Sequence, residues 1–243
     1  MPKTHKTYLQ EKSKLLLLDF LQWTKTKKTH NTFRFQNNSI SYLDHPYNHT
    51  KYNERAVEVP LVWEYLKNKK KKPILEVGNV LAHYYPPFSH TIVDKYEKAD
   101  GVLNEDILTY TPRKKFAVIV SISTIEHIGW DENKKEKMKI PKVLYHLYDL
   151  LVPGGEAFIT FPIGYNPYLD EHLYADTLPF SITKYLKRTS LGNEWKEVKR
   201  EEVIGTKYAD PYPNANAIGV GVIKKPLLSQ RSGNKIEIKR KRK

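Results

Sequence analysis

The chain has 243 residues, 41 Lys and Arg against 27 Asp and Glu, no cysteine, and a formal net charge of +14. That length suits one full-core domain with additions. The missing cysteines exclude disulfides and thiolate chemistry and fit a reducing, cytoplasmic setting, and the charge points to anionic partners: RNA, a phosphorylated substrate or an acidic membrane surface.

Residues 1–13 are polar and basic and read as a loose arm. Leu15, Leu18 and Leu21 then mark one face of a short amphipathic helix that Trp23 closes. The run Leu15 to Leu18 meets Asp19 at once, so it is far too short to span a bilayer, and no small-residue cleavage site follows it. Phe33, Phe35, Ile40 and Tyr42 predict a strand pair turned at Asn37-Asn38. Residues 1–52 are therefore an extension that either caps the fold or forms part of an acceptor pocket.

Residues 53–66 read as one helix, started or interrupted by Pro60. The lysines at 69–72 have the look of a solvated linker. Ile74, Leu75 and Val77 form a short apolar run ending at Gly78, the pattern of a buried parallel strand and a tight turn. Asn79 to Tyr84 has room for one short helix before Pro86-Pro87. Ile92 and Val93 form a second strand that stops on Asp94. The segment Lys95 to Leu103 is too short for a helix, and an acidic turn follows at Asn104-Glu105-Asp106-Ile107. Strands that stop on a glycine and on a carboxylate predict a nucleoside site at the carboxyl edge of an open α/β sheet. Gly78 lets the backbone approach a ligand where a Cβ would collide. Asp94 can accept hydrogen bonds from both hydroxyls of a ribose, and Asp106 can accept one from an adenine amino group.

Phe116 to Ser123 is largely apolar, as a central parallel strand should be. It ends in Thr124-Ile125-Glu126-His127-Ile128-Gly129-Trp130. Pro141 is expected to start a helix with Val143, Leu144, Leu147, Leu150 and Leu151 as its buried stripe, stopped by Val152-Pro153-Gly154-Gly155. Ala157 to Phe161 is the next strand. The Gly-Tyr-Asn-Pro after it is turn chemistry that leaves Tyr165 and Asn166 at the ligand edge. Ile182, Tyr185 and Leu186 suggest one more helix. Trp195 to Ile204 and Ala217 to Lys224 read as a terminal strand pair, joined through the turn-rich segment 208–213, a candidate substrate loop. Beyond Pro226 apolar periodicity fades, and Ile236 to Lys243 is a basic tail expected to be disordered. His83 and His90 have no ligand-spaced partners, so no metal site is expected.

Glu76-Val77-Gly78, Asp94 and Asn104 to Ile107 together resemble the first motif, the ribose acid and the adenine-side turn of class I S-adenosylmethionine-dependent methyltransferases. The Glu126-His127 pair after a fourth strand, and the order helix, Leu-Val-Pro-Gly-Gly, strand, resemble the same superfamily. The resemblance implies an α/β, Rossmann-like domain over residues 53–225. Its sheet would have seven mostly parallel strands, helices on both faces and a C-terminal antiparallel hairpin, with residues 226–243 as the tail. It implies S-adenosyl-L-methionine as cofactor, held by Glu76, Gly78, Asn79, Asp94, Lys95, Asp106, Ile107 and Ser123. Glu126 and His127 would be catalytic, with His127 either a base or a cap of the following turn. Glu54, Arg55, Tyr165 and Asn166 would face the acceptor, the first two being equally readable as a surface ion pair. A nicotinamide cofactor fits poorly, because Val80 and His83 stand where further glycines would admit a pyrophosphate; S-adenosylmethionine carries no phosphate. The implied activity is methyl transfer to an oxygen or nitrogen of a small molecule or saccharide. An RNA methyltransferase, favoured by charge, and a non-catalytic binding protein of the same fold, favoured by the single glycine, stand beside it.

Overall fold

The computed structural model describes residues 31–227. The expected arm and the helix at Leu15 to Trp23 lie outside the described residues, as does the basic tail from Ile236. Among the described residues no helix is long and apolar enough to cross a membrane.

A hairpin comes first, β1 (Thr32–Phe35) against β2 (Asn38–Ser41). Its turn falls on Gln36-Asn37, one residue earlier than the sequence suggested. Both turn residues have positive φ, 48° and 67°, which is what a two-residue hairpin matching the strand twist requires. Helix α1 (Arg55–Leu66) begins well before Pro60 and runs through it. Pro60 has no N–H to offer the carbonyl of Ala56. The amide of Leu43, just beyond β2, donates to that carbonyl instead at 2.9 Å. The gap left by the proline is thus where the hairpin is fastened to the domain.

The main sheet holds β3 (Ile74–Val77), β4 (Thr91–Val93), β5 (Val102–Leu103), β6 (Phe116–Ile122), β7 (Leu151–Pro162), β8 (Ile182–Arg188), β9 (Trp195–Val198) and β10 (Ala217–Lys224), in the spatial order β5-β4-β3-β6-β7-β10-β8-β9. The first five in that order are parallel to their neighbours. β10 is antiparallel to both β7 and β8, and β9 is antiparallel to β8. All four residues of β3 are buried, because both faces of a parallel sheet are covered. α1 and the hairpin pack one face, over Ile74, Val118 and Val120. Helices α2 (Lys139–Leu150) and α3 (Pro167–Tyr174) cover the other, over Leu75, Val77 and Ile119.

Several local expectations change. α2 starts at Lys139, two residues before Pro141. β7 starts at Leu151 and passes through Pro153-Gly154-Gly155. An irregularity between Phe116 and Val118 of β6 absorbs the extra residues, Leu151 pairing with Phe116 and Glu156 with Val118. Residues 182–188 form a strand rather than a helix. Three apolar positions set no reliable period, and β10 and β9 on either side satisfy the backbone of β8. α3 was not foreseen, although Asn166 caps it and Pro167 opens it, both recognisable start signals. The strand at Trp195 ends at Val198, and a 3-10 turn, Arg200–Glu202, follows. The strand that pairs with β10 is therefore β8, and β9 is an eighth strand on the edge.

Two features place the cleft. β3 has β4 on one side and β6 on the other, so the chain reverses its direction of winding there and leaves a crevice at the carboxyl ends of these strands. The loop after β2 forms a wall of it. Arg188 Nη1 donates to the Tyr52 carbonyl at 3.2 Å, and Asn193 Nδ2 to the Asn53 carbonyl at 2.8 Å.

Candidate active site

The crevice is a cleft of about 540 Å³ whose lining includes Gly78, Asn79, Asp94, Lys95, Asp106, Ile107, Ser123, Arg55 and His127. Of the residues singled out in the sequence, Glu76, Glu126, Glu54, Tyr165 and Asn166 do not line it.

At the end of β3, Gly78 has φ +88°, and a Cβ there would lie 2.3 Å from Thr124 Oγ1. The glycine is thus required by the neighbouring turn, not only by an approaching ligand. Glu76, fully buried, sits behind the same turn. Its Oε1 accepts the amides of Val80 and Leu81 at 2.9 and 2.8 Å, and its Oε2 contacts His90 Nε2 at 2.8 Å. It shapes the loop and touches no cleft surface.

Asp94 ends β4. Its Oδ1 accepts the amides of Tyr96 and Glu97, both at 2.8 Å. Its Oδ2 takes only a longer 3.3 Å contact from the amide of Asn79, leaving acceptor capacity for a ligand. Glu97, which the sequence reading passed over, also lines the cleft. It accepts from Asn79 Nδ2 at 2.7 Å and contacts His83 Nε2 at 3.0 Å. Tyr47 stacks on His83 with ring centroids 4.2 Å apart and closes that side. Asp106 is more committed than expected. Lys95 Nζ reaches its Oδ2 at 2.9 Å, Lys139 Nζ lies 3.7 Å from that oxygen, and the Leu108 amide donates to Oδ1 at 3.0 Å. Burial raises its pKa, but Lys95, the Leu108 amide and Lys139 together bring it below the ordinary carboxylate value.

β6 ends in Ser123, which has φ +37°, a strained conformation of the kind that gathers at functional sites. Its hydroxyl donates to Glu58 of α1, with Oγ 2.8 and 2.7 Å from the two carboxyl oxygens. Arg55 donates to the carbonyls of Ile122 and Ser123 at 2.7 and 3.3 Å and lies 3.9 Å from Glu58. It therefore ties α1 to the strand end rather than pairing with Glu54. Glu54 is buried and accepts the amide of Ala215 at 3.1 Å. Glu58 is fully buried, and desolvation lifts its pKa to about 7 against the pull of Arg55. Glu126 is 1% exposed, and its Oε2 has no partner among the described residues. Burial first, and then the charge of Glu58, push its pKa well up. The two buried acids form a layer behind the cleft wall in which burial disfavours the charged form.

His127 is half-exposed on the cleft side of that layer. Its Nδ1 lies 2.6 Å from Asp131 Oδ2, and its Nε2 lies 3.4 Å from Glu126 Oε1. Asp131 also accepts from Tyr165 OH at 2.6 Å. Burial raises the Asp131 pKa, yet the hydrogen bonds from Tyr165 and His127 bring it below its usual value. A charged Asp131 can only accept, so it holds the hydrogen on Nδ1 and leaves Nε2 as the basic nitrogen. Asp131 was missed in the sequence, although it stands four residues after His127. Tyr165 acts through Asp131 and meets the His127 ring edge-on at 5.0 Å. Asn166 is fully buried. Its Oδ1 caps α3 through the Tyr168 amide at 2.9 Å, and its Nδ2 donates to the Glu126 carbonyl at 2.7 Å. It positions the Glu126-His127 turn from beneath and does not reach an acceptor.

No protein-family model and no curated protein sequence matches the chain. Among solved structures it is similar to the N-methyltransferase NodS of Bradyrhizobium japonicum WM9 bound to S-adenosyl-L-homocysteine, at 11% identity and a TM-score of 0.46, over 71% of this chain and 87% of that one. It is also similar to an S-adenosylmethionine-dependent methyltransferase of Clostridium acetobutylicum, at 11% identity and a TM-score of 0.38, over 70% and 91% of the two chains. Identities this low say nothing of substrate. The fold rests on the sheet itself: five parallel strands wound outward in both directions from β3 and β6, then β10 reversed between β7 and β8, which runs in the direction of the parallel strands. That strand order, with β9 added at the edge, is the class I methyltransferase fold.

Proposed function

We propose that the chain is an S-adenosylmethionine-dependent methyltransferase acting on an oxygen or nitrogen of a small molecule or saccharide. The observation that carries this reading is Asp94 at the carboxyl end of β4. Its Oδ1 is spent on the loop and its Oδ2 is left to the cleft, opposite the glycine turn at Gly78. A carboxylate with spare acceptor capacity suits a ribose diol. The lining Val77, Val80, Val93 and Ile107 supply apolar surface beside it, and a cleft of this volume suits a nucleoside-sized donor together with a small acceptor.

When bound, S-adenosylmethionine supplies an electrophilic methyl on a sulfonium. The chain's own work is then to align the acceptor, exclude water and take a proton where the acceptor carries one. His127 Nε2 is the group that would accept it, and Asp131 and Tyr165 keep the ring oriented. Glu126, whose pKa is pushed up by burial and the charge of Glu58, has its negative form disfavoured beside the incoming proton. Asn79, Lys95 and Asp106 would frame the adenosine side, Lys95 acting through Asp106.

Isothermal titration of the full chain with S-adenosylmethionine tests the reading. Asp94→Ala is expected to weaken binding by about 1–3 kcal/mol, and Asp94→Asn, which keeps one acceptor, by less. Wild-type affinity in a folded Asp94→Ala protein would remove the cofactor assignment.

A further inference from the structure

The opposite edge of the same sheet carries a second concavity, of about 940 Å³. Its walls come from the segments that enter the parallel strands. Lys70, Lys71 and Lys72 precede β3, Ser89 and His90 precede β4, and Arg113, Lys114 and Lys115 precede β6. β3 and β6 are neighbours in the sheet, so two cationic runs some forty positions apart in sequence face one groove. No Asp or Glu lines it. None of the six Lys and Arg side chains has a carboxylate partner among the described residues. Lys70 instead lies over the Trp63 ring, 3.2 Å from its centroid, and all but Lys70 are exposed. Elsewhere on the molecule lysines are commonly paired, as Lys69 is with Glu156, Lys137 with Glu171 and Lys142 with Glu136.

We infer that this groove binds single-stranded nucleic acid through its phosphodiester backbone. Six uncompensated cations in a concave channel repel one another and concentrate anions. A backbone bearing one charge per nucleotide, able to follow a groove, releases counterions from each contact it makes there. An acidic protein partner fits less well. The large apolar groups of the groove, Ile74, Tyr110 and Phe116, are buried, so no exposed aromatic anchor is offered, and such anchors dominate protein interfaces. Base stacking is not offered either, because Trp63 is sandwiched between Tyr85 and Lys70, and Phe88 is stacked on His90. Binding should therefore be insensitive to base sequence. The groove lies across the sheet from His127, so it would hold a strand without presenting a base for methyl transfer. The inference stands independently of the methyltransferase reading.

The test is fluorescence anisotropy of the full chain with labelled 15-mers of U and of dT between 50 and 200 mM salt, without methyl donor. Three groove contacts fewer should flatten the log-log salt slope by about 2, at ~0.7 per contact for single strands. The triple variant Arg113→Gln, Lys114→Gln, Lys115→Gln is therefore expected to lose at least tenfold in affinity at 100 mM salt and to show that flattening. It should keep the wild-type melting temperature, since all three side chains are exposed. The comparison variant neutralises Lys239, Arg240, Lys241 and Arg242 to Gln. Equal loss with U and dT supports backbone recognition, and loss confined to U assigns the groove to RNA. The inference is overturned if binding survives the groove variant and disappears with the tail variant. It is also overturned if inorganic polyphosphate of matched charge displaces the strands completely at lower concentration than unlabelled oligomer, or if neither oligomer binds at 50 mM salt.

Discussion

The two edges of the main sheet handle charge in opposite ways. At the carboxyl edge most acids around the cleft are answered by a neighbouring side chain: Asp106 by Lys95, Glu97 by His83 and Asn79, Asp131 by His127 and Tyr165, and Glu58 by Ser123. Glu126, whose Oε2 has no partner among the described residues, is buried where desolvation disfavours its charged form. At the amino edge six cations line a groove with no acid among them. Compensated groups in a partly buried cleft act over hydrogen-bond distances and are little screened by salt. Exposed, uncompensated charge acts through its field, which salt removes within about 10 Å at 0.1 M. The first edge should therefore respond to changes of shape and protonation, the second to ionic strength.

The largest effect that would sharpen this contrast is steric. Gly78→Val puts a branched side chain at φ +88°, with its Cβ 2.3 Å from Thr124 Oγ1. Backbone strain and overpacking each cost about 1–3 kcal/mol, so a loss of about 2–6 kcal/mol is expected in thermal or urea unfolding, independent of added salt. Adding Thr124→Gly should restore the overpacking part and leave the strain. A Gly78→Val protein that unfolds like the wild type would show that the turn adapts, and that the glycine serves only an incoming ligand.

How much of this was legible in the sequence depends on the range over which each signal acts. Strands β3, β4 and β6 were readable because a strand buried on both faces is locally apolar, and the residues that end them, Gly78, Asp94 and Ser123, all line the cleft. The strand at 182–188 was not readable, because its conformation is set by β10 and β9 and not by its own three apolar residues. Asn166 looked like a ligand-edge loop residue. Its capping of α3 was present in the local sequence, but its hold on the Glu126 carbonyl, forty positions away, was not. Tyr165 was named for contact with substrate and instead braces Asp131. The groove was hidden for the same reason. Lys70 to Lys72 looked like a solvated run because nothing local says that Arg113 to Lys115 lies across from it.

The next effect is a pH dependence at the carboxyl edge. Glu58 is protonated more readily in the folded protein, with a pKa of about 7, than at its ordinary value of 4.5. The folded state is thus favoured by the neutral acid. That stability is fully present below about pH 4.5, falls as the unfolded chain ionises, and is gone once pH rises through about 7. Linkage puts the change on the order of 3 kcal/mol. Glu58→Gln cannot titrate and keeps an acceptor for Ser123, so the stability difference between the two proteins should move by that order across this window. It should do so at low and high salt alike, since the side chain is wholly buried. A difference that stays constant from pH 4.5 to 7 would mean that Glu58 titrates as an ordinary surface acid, and the contrast between the edges would weaken.

His127 is the sharpest case, because it is the least buried of the groups around the acid layer and yet the one with work to do in the cleft. Asp131 holds the hydrogen on Nδ1 at 2.6 Å, which leaves the lone pair on Nε2 of a ring that lines the cleft, 3.4 Å from Glu126 Oε1. If that nitrogen takes the acceptor's proton as the new bond to carbon forms, His127→Ala should lower turnover by about 100-fold, within the range of general-base contributions. Donor affinity should hold, because the proposed donor contacts run through Asp94 and Asp106 and none of their hydrogen bonds involves His127. Asp131→Asn preserves an acceptor for Nδ1 but removes the charge that stabilises the protonated ring, so it should cost less than the loss of the imidazole. Neither effect should change between 50 and 200 mM salt, in contrast to strand binding at the other edge. A His127→Ala protein with near-normal turnover at neutral pH would leave the ring as packing against Tyr165. It would also point to an acceptor that meets the methyl group already unprotonated, such as a neutral amine.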